Sequence, residues 1–458
     1  MGQITRSRRA QIQREATALR MRGQRDGWPA EQIVTAIRSA CPEVLPLEAW
    51  RLALGWSRAQ TVTKVGDLYL ADGLRPTALS EAMLCRYEHG QDRPGPEYTV
   101  MLARAYGARP DQLGLQIHAQ RCCAASPTPL SDDEREDPMR RRTLITAAGL
   151  SVPLHLLLRL EDALAVPVES GRPAALAEIQ QRLQVARGQF DVSALAPLLG
   201  AFPALLSAAL DTAKRVDTPA GWATLASCYN LATDALNKVG RKDTALRTAD
   251  RGVLYAQRSE DAVAQGASAR AMGMMLRTSG RHDAATKVVE RAADTLAVMG
   301  LRKAPHLGTY LRLMCTSAYT ASQAGDRQQA FTRLADAERA AERLTALTGK
   351  TDAELFVKMY GVNLNYALGD AGAAVRAGQE LRPDMYKTPE RRGRYHTDMA
   401  RAWWQWGKPE ETAYALLAAH KEAPSEVRDR PKIRQIATDL TTMHPRVSGV
   451  RELATALT

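Results

Sequence analysis

Phenylalanine occurs only 4 times in 458 residues, and aromatic residues together make up 5% of the chain. Set against abundant Ala and Leu, that scarcity argues for helices and against sheets, which favour aromatic and β-branched side chains. The six cysteines (Cys41, Cys85, Cys122, Cys123, Cys228, Cys315) show no Cys-x-x-Cys spacing and no neighbouring His cluster. No metal site follows from them, and they read as reduced core thiols of a cytoplasmic protein, with vicinal Cys122 and Cys123 the one pair spaced for a redox switch. Long apolar runs are lacking as well. The start, MGQITRSRRAQIQREA, has no apolar core and does not read as a secretory signal. Between Met139 and Leu154, arginines precede a moderately apolar stretch in the manner of a twin-arginine signal, but Gly149 and Pro153 break it. It falls short of the roughly 20 residues of a membrane span, so it reads as the end of a linker and the first buried helix of a second domain. No membrane association is expected. Catalytic signatures are missing too: there is no Gly-x-Ser-x-Gly, no His-Glu-x-x-His and no clustered Asp/His set. Gly349-Lys350-Thr351 is a fragment of a phosphate loop, yet Leu344 stands where the earlier glycine belongs. An enzyme is not expected, and neither catalytic residues nor a cofactor can be assigned.

What the chain does have is length, positive charge and helical periodicity. A chain of 458 residues exceeds one ordinary core, so two or more domains are expected. The net charge of +12 and pI near 9.5 suit a polyanionic partner. The charge is densest at the start, where Arg6, Arg8, Arg9, Arg14, Arg20, Arg22 and Arg25 face a single acid, Glu15. That segment is either a solvated basic helix or a phosphate-contacting one. Ser126 to Asp137, SPTPLSDDERED, is acidic, contains proline and has no periodicity, which marks a linker. The division is therefore residues 1–118, a linker over 119–142, and a second domain over 143–458.

In the first domain the pattern predicts helices over Ile4–Arg22, Pro29–Ser39, Leu47–Leu54, Arg58–Tyr69, Ala78–Tyr87 and Glu97–Tyr106, with Ser57 and Thr77 as N-caps. Beyond the linker only helical periods occur, and they repeat. Gly240, Gly280, Gly325, Gly369 and Gly407 each end one helix before a polar turn. Small or β-branched residues recur after them (Ala245, Ala285, Ala330, Ala374, Thr412) and before them (Thr233, Gly273, Ala318, Val362, Ala400). Such positions let the two helices of a hairpin approach closely. This resembles the tetratricopeptide repeat over about Gly221–Ala423, with longer helices than usual. The fold class expected is all-α: an N-terminal helix-turn-helix domain followed by a right-handed, tetratricopeptide-like solenoid with C-terminal capping helices.

Gly55-Trp56-Ser57-Arg58-Ala59-Gln60, Cys85-Arg86-Tyr87-Glu88-His89-Gly90, Arg93-Pro94 and Leu102-Ala103-Arg104-Ala105-Tyr106-Gly107 resemble the Cro/lambda-repressor-type (XRE) helix-turn-helix. The resemblance implies binding to double-stranded DNA, with Thr77, Ser80, Glu81 and Arg86 on the recognition helix and Arg58, Gln60 and Thr61 at the start of the bracing helix. Gly66–Thr77 departs from it by inserting residues where the family has a tight turn. If the concave offsets of the repeat family hold, the inner face of the second domain carries Asn230, Asn237, Arg270, Arg312, Tyr319, Asn363, Arg394 and Arg401. The same offsets reach Asp234, Arg277 and Phe356. These types grip carboxylates, amides and apolar anchors.

A helix-turn-helix followed by such repeats is similar to the peptide-sensing regulators of the Rap, PlcR and Rgg group. It is more similar still to the actinomycete differentiation regulators typified by NsdA. What this implies is a cytoplasmic, homodimeric transcription regulator whose repeats dimerise or sense a peptide, a small-molecule effector or a protein partner. The competing reading is an adaptor that has kept a degenerate helix-turn-helix and no longer binds DNA.

Overall fold

The computed structural model describes residues 6–72, 79–92, 94–115, 152–165 and 174–457. Thr77, Cys122, Cys123, the linker at 119–142 and most of the arginine-led stretch after it lie outside these residues. Among the described residues the chain is all-α, with 22 α-helices, one short 3-10 turn and no strand. Contacts divide it into two compact units: residues 1–132 with 365–373 and 405–407, and residues 133–364 with 374–404 and 408–458.

The first unit contains α1 (Arg6–Arg25), α2 (Ala30–Ala40), α3 (Pro46–Leu54), α4 (Arg58–Ala71), α5 (Glu81–Glu88) and α6 (Pro96–Tyr106). Helix α3 is the hub, touching α1, α2, α5 and α6, while α4 packs on α5 and α6. Its buried face, Leu47, Trp50 and neighbours, follows from the i, i+3 spacing. Gly55 ends α3 in the left-handed conformation at φ 72°. Ser57 then starts α4 with a full capping box, its Oγ accepting from the Gln60 N–H while Gln60 Oε1 accepts from the Ser57 N–H. Helix α5 begins at Glu81, three residues later than the pattern of Ala78–Tyr87 suggests, and Ser80 caps it by accepting from the Met83 N–H. Leu84 and Tyr87 are buried core, as expected of them.

The second unit runs from α7 (Leu154–Ala165) and α8 (Leu176–Asp191) through α9 (Leu195–Val216), α10 (Pro219–Lys238), α11 (Lys242–Ser259), α12 (Ala262–Thr278), α13 (His282–Val298), α14 (Ala304–Ala324) and α15 (Arg327–Thr348). It continues with most of α16 (Asp352–Ala367), most of α17 (Ala371–Gln379) and most of α18 (Pro389–Trp406), then α19 (Pro409–Glu422), α20 (Pro424–Arg428), α21 (Pro431–Met443) and α22 (Val450–Leu457). From α8 to α15 each helix packs on the next, and the alternate helices α8, α10, α12 and α14 also touch in sequence. The recurring glycines Gly240, Gly280, Gly325, Gly369 and Gly407 all have φ between 77° and 87°, the left-handed region that a Cβ disfavours. The small positions that accompany them are buried. Helix α9 is the one described helix long and apolar enough to cross a membrane, and 56% of its apolar window is buried in the unit's own core.

Gly273 on α12 shows what the small positions do. A Cβ there would overlap Val289 Cγ2 on α13, and Val289 itself is fully buried. Gly273→Val is expected to cost about 1–3 kcal/mol by overpacking. Gly273→Ala should cost less, since alanine recovers about 1 kcal/mol of helix propensity. Urea unfolding followed by circular dichroism reads both; equal stability for all three chains would show that α12 and α13 can move apart freely.

Candidate functional site

Two concave regions carry the side chains that the sequence singles out, one in each unit. In the first unit a cleft of about 490 Å³ is lined by Gln13, Thr17 and Arg20 of α1, by Ser57, Arg58 and Gln60 at the start of α4, and by Glu81 at the start of α5. The N-terminal ends of α4 and α5 thus border one space. Arg9, Arg14, Arg22 and Arg25 are exposed along α1.

The cations expected to reach DNA from α4 and α5 are differently placed. Glu88, fully buried at the end of α5, accepts from Arg51 Nη2 at 3.1 Å and from Arg58 Nε at 2.7 Å, and also pairs with Arg51 Nε. Glu48 stands 3.5 Å from Arg51 and 3.8 Å from Arg58. Burial, with Glu88 close by, pushes the Glu48 carboxyl above its ordinary pKa. The Arg58 guanidinium is therefore held inside an ion cluster. Arg86, with a side chain only 11% exposed, pairs with Asp92 at 3.3 Å. Thr61 is buried, its hydroxyl donating to the Ser57 carbonyl, so it does not hold the surface position assigned to it. Its i−4 carbonyl satisfies the hydroxyl once α4 packs on α6. Of the seven residues assigned to DNA, Arg58, Gln60 and Glu81 share the cleft, Ser80 is the cap of α5, and Thr77 lies outside the described residues.

In the second unit, helices α8, α10, α12, α14, α16 and α18 surround a cavity of about 580 Å³. Asn237, Arg270, Arg312, Tyr319, Asn363 and Arg394 line it, six of the eight residues assigned to an inner face. Asn230 does not; its amide is buried and donates to Ser268 Oγ at 2.9 Å, tying α10 to α12. Arg401 does not either; it pairs with Asp398 at 3.1 Å from one turn further along α18.

The wall carries nine cations (Arg187, Lys238, Arg270, Arg277, Arg312, Lys350, Lys387, Arg391, Arg394) against five acids (Asp191, Asp234, Asp352, Glu390, Asp398). Most of the acids are occupied. Asp234 holds Arg270 at 3.2 Å, Asp398 holds Arg394 at 3.4 Å, Glu390 holds Lys238 at 2.7 Å, and Asp352 holds Lys387 at 2.6 Å. The remaining positive potential is felt locally. Burial alone would raise the Tyr319 phenol, but Arg401 and Arg277 outweigh it and leave its pKa lowered. Apolar surface completes the wall: Phe356 meets Tyr360 at 5.2 Å between ring centres, and Tyr360 meets Tyr319 edge-on at 6.4 Å.

The offsets did not reach Lys238, Tyr360, Glu390, Arg391 or Asp398. A signal for three of the residues on α18 was present, since Glu390, Arg394 and Asp398 recur at i, i+4 and i+8, an acid–base–acid stripe on one helix face. No signal of that kind pointed to Lys238. Comparison with protein-family models finds no match, and neither does comparison with curated proteins.

Proposed function

We propose that this protein is a cytoplasmic, homodimeric DNA-binding transcription regulator. Its second unit would be a tetratricopeptide-like solenoid of helical hairpins that senses an effector. The observation that carries the reading is the cavity of about 580 Å³. Its volume falls within the roughly 300–1,000 Å³ of small-molecule sites, and it combines an apolar aromatic wall with converging cationic groups. The DNA-facing part rests on the cleft at the starts of α4 and α5 and on the exposed arginines of α1, which would neutralise phosphates while Gln60 and Ser57 position the backbone.

A second reading, an adaptor with a degenerate helix-turn-helix, draws support from one observation: Arg58 and Arg86 are engaged by carboxylates of their own unit. Binding of the intact chain to mixed genomic DNA separates the two readings. A regulator making five or more phosphate contacts should lose affinity by about 500-fold or more between 50 and 200 mM salt. Arg14→Gln with Arg22→Gln should lower affinity and flatten that slope. Absence of salt-dependent binding would favour the adaptor.

A further inference from the structure

Four of the nine cavity cations, Arg187, Arg277, Arg312 and Lys350, have no carboxylate within ion-pair distance among the described residues, and of these Arg277 and Arg312 lie over the aromatic wall. Arg277 has no carboxylate within ion-pair distance among the described residues; its Nη1 reaches Thr320 Oγ1 at 3.5 Å and its guanidinium lies 4.7 Å from the centre of the Tyr319 ring. Arg312 likewise has none; its Nη1 donates to the Gly308 carbonyl at 2.8 Å. Arg312 and Arg391 both lie over Phe356, at 5.4 and 5.3 Å from the ring centre. Burial, then Arg270 and Arg394, lowers the pKa of Arg277; Arg312, whose side chain is exposed to solvent, shifts the same way through partial desolvation beside Arg270 and Arg391. The fold thus gathers like charges around an apolar strip and answers only some of them. Such a cluster is relieved by an anion that arrives from outside.

We infer that the cavity takes a compact phosphoryl anion joined to a flat unsaturated ring, the chemistry shared by a mononucleotide and an aryl phosphate. The anion would sit against Arg277 and Arg312 and the ring against Phe356, Tyr360 and Tyr319. A doubly charged head matches the two unanswered guanidiniums that lie over the aromatic wall, whereas a single carboxylate leaves one of them unanswered. Guanidiniums already lying over Tyr319 and Phe356 favour a planar partner, because a ring can extend the same cation–π arrangement. This inference rests on reading the cavity as an effector site.

Titration calorimetry of the full chain tests it with five probes: adenosine monophosphate, phenyl phosphate, inorganic phosphate, benzoate and tetraglutamate. Adenosine monophosphate or phenyl phosphate is expected to bind, and whichever is tighter identifies the source of the ring. Inorganic phosphate and benzoate should bind at least tenfold more weakly than that ring phosphate. Arg277→Gln and Arg312→Gln should each weaken the ring phosphate by about tenfold or more, the size of a charge-assisted contact. Phe356→Ala should weaken the ring phosphates while leaving inorganic phosphate unchanged. Arg258→Gln, which removes a cation over Trp222 outside the cavity, should change nothing. Failure of both ring phosphates to bind, tighter binding of tetraglutamate or benzoate, or unchanged affinity in Arg277→Gln and Arg312→Gln would overturn the inference. The same preparation assayed on DNA without probes keeps the two failures apart. A chain that binds DNA and none of the probes sinks this inference alone, and a chain that binds a ring phosphate but no DNA sinks the DNA reading alone.

Discussion

Replacing Glu88 with alanine is expected to remove about 3–5 kcal/mol from the stability of the first unit, the cost of leaving buried charge without its partner. Glu88 is fully buried, and Arg51, which it holds, is only 6% exposed in its side chain. A carboxylate at the C-terminal end of a helix opposes the helix dipole, so Glu88 is tolerated at the end of α5 because two guanidiniums meet it. Through them it links α3, α4 and α5, and Arg51 Nη1 additionally donates to the Trp56 carbonyl at 3.1 Å. With Glu88 gone, Arg51 keeps only Glu48 at 3.5 Å and the Trp56 carbonyl. Urea unfolding combined with amide hydrogen exchange over residues 46–54 and 81–88 would register the loss. Arg51→Met combined with Glu88→Leu should recover most of the stability, since an apolar pair of similar volume often matches a buried ion pair. Unchanged exchange in Glu88→Ala would show that helix packing alone holds α5.

Lys238→Met is expected to cost the second unit a similar amount, about 3–5 kcal/mol. Lys238 Nζ lies over the Phe190 ring at 4.6 Å, bonds Glu390 Oε1 at 2.7 Å and also bonds Glu426 Oε1. Its partners are 152 and 188 residues away, so one ammonium ties α10 to both α18 and α20. Ser425 Oγ donates to the Ser193 carbonyl at 2.8 Å, reinforcing the same junction. Methionine keeps the length of the side chain but leaves two buried carboxylates facing each other, with Arg430 still on Glu426 at 3.1 Å.

The penalty should depend on pH. Burial by itself would raise the Glu390 carboxyl, but Lys238, Arg391 and Arg394 outweigh it and lower its pKa. Burial likewise opposes Arg394, Arg401 and Arg430 at Asp398, and the cations prevail. A carboxylate depressed in the folded state contributes stability above its unfolded pKa, about 4 for Asp and Glu, and loses it as pH falls through the folded value. The unfolding free energies of wild type and Lys238→Met should therefore differ most near pH 7, begin to converge as pH falls below about 4, and meet only near pH 2, the folded value of Glu390. Parallel curves from pH 7 to pH 3 would mean that Lys238 acts through packing on Phe190 and not through charge.

The local features of this chain were readable because local chemistry causes them. Gly240, Gly280, Gly325, Gly369 and Gly407 stand where helices end, and each adopts positive φ. Ser57 and Gln60 form the capping box that their spacing implies. The start of α5 was misplaced because Thr77 reads as its cap, whereas Ser80, one turn further on, accepts the Met83 N–H. Six residues chosen by their distance from the turn glycines line one cavity, since a fixed offset on a helix fixes a face.

The fate of the charges was not readable. Arg58 and Arg86 look like surface cations at the ends of short helices, and Lys238 looks like an exposed cation near a helix C-terminus, where the dipole favours it. All three are engaged by carboxylates, at sequence separations from 6 residues for Arg86 to 188 for Lys238. Turn glycines, most helix boundaries and the inward side of most helices are set within a few residues of chain, so the sequence determined them by itself. Which cations are consumed by internal acids, and which, Arg277 and Arg312 among them, are left without one among the described residues, depends on partners brought together only when the helices pack. That was decided by the tertiary structure, because burial makes the balance of charge a property of the whole unit and not of any segment.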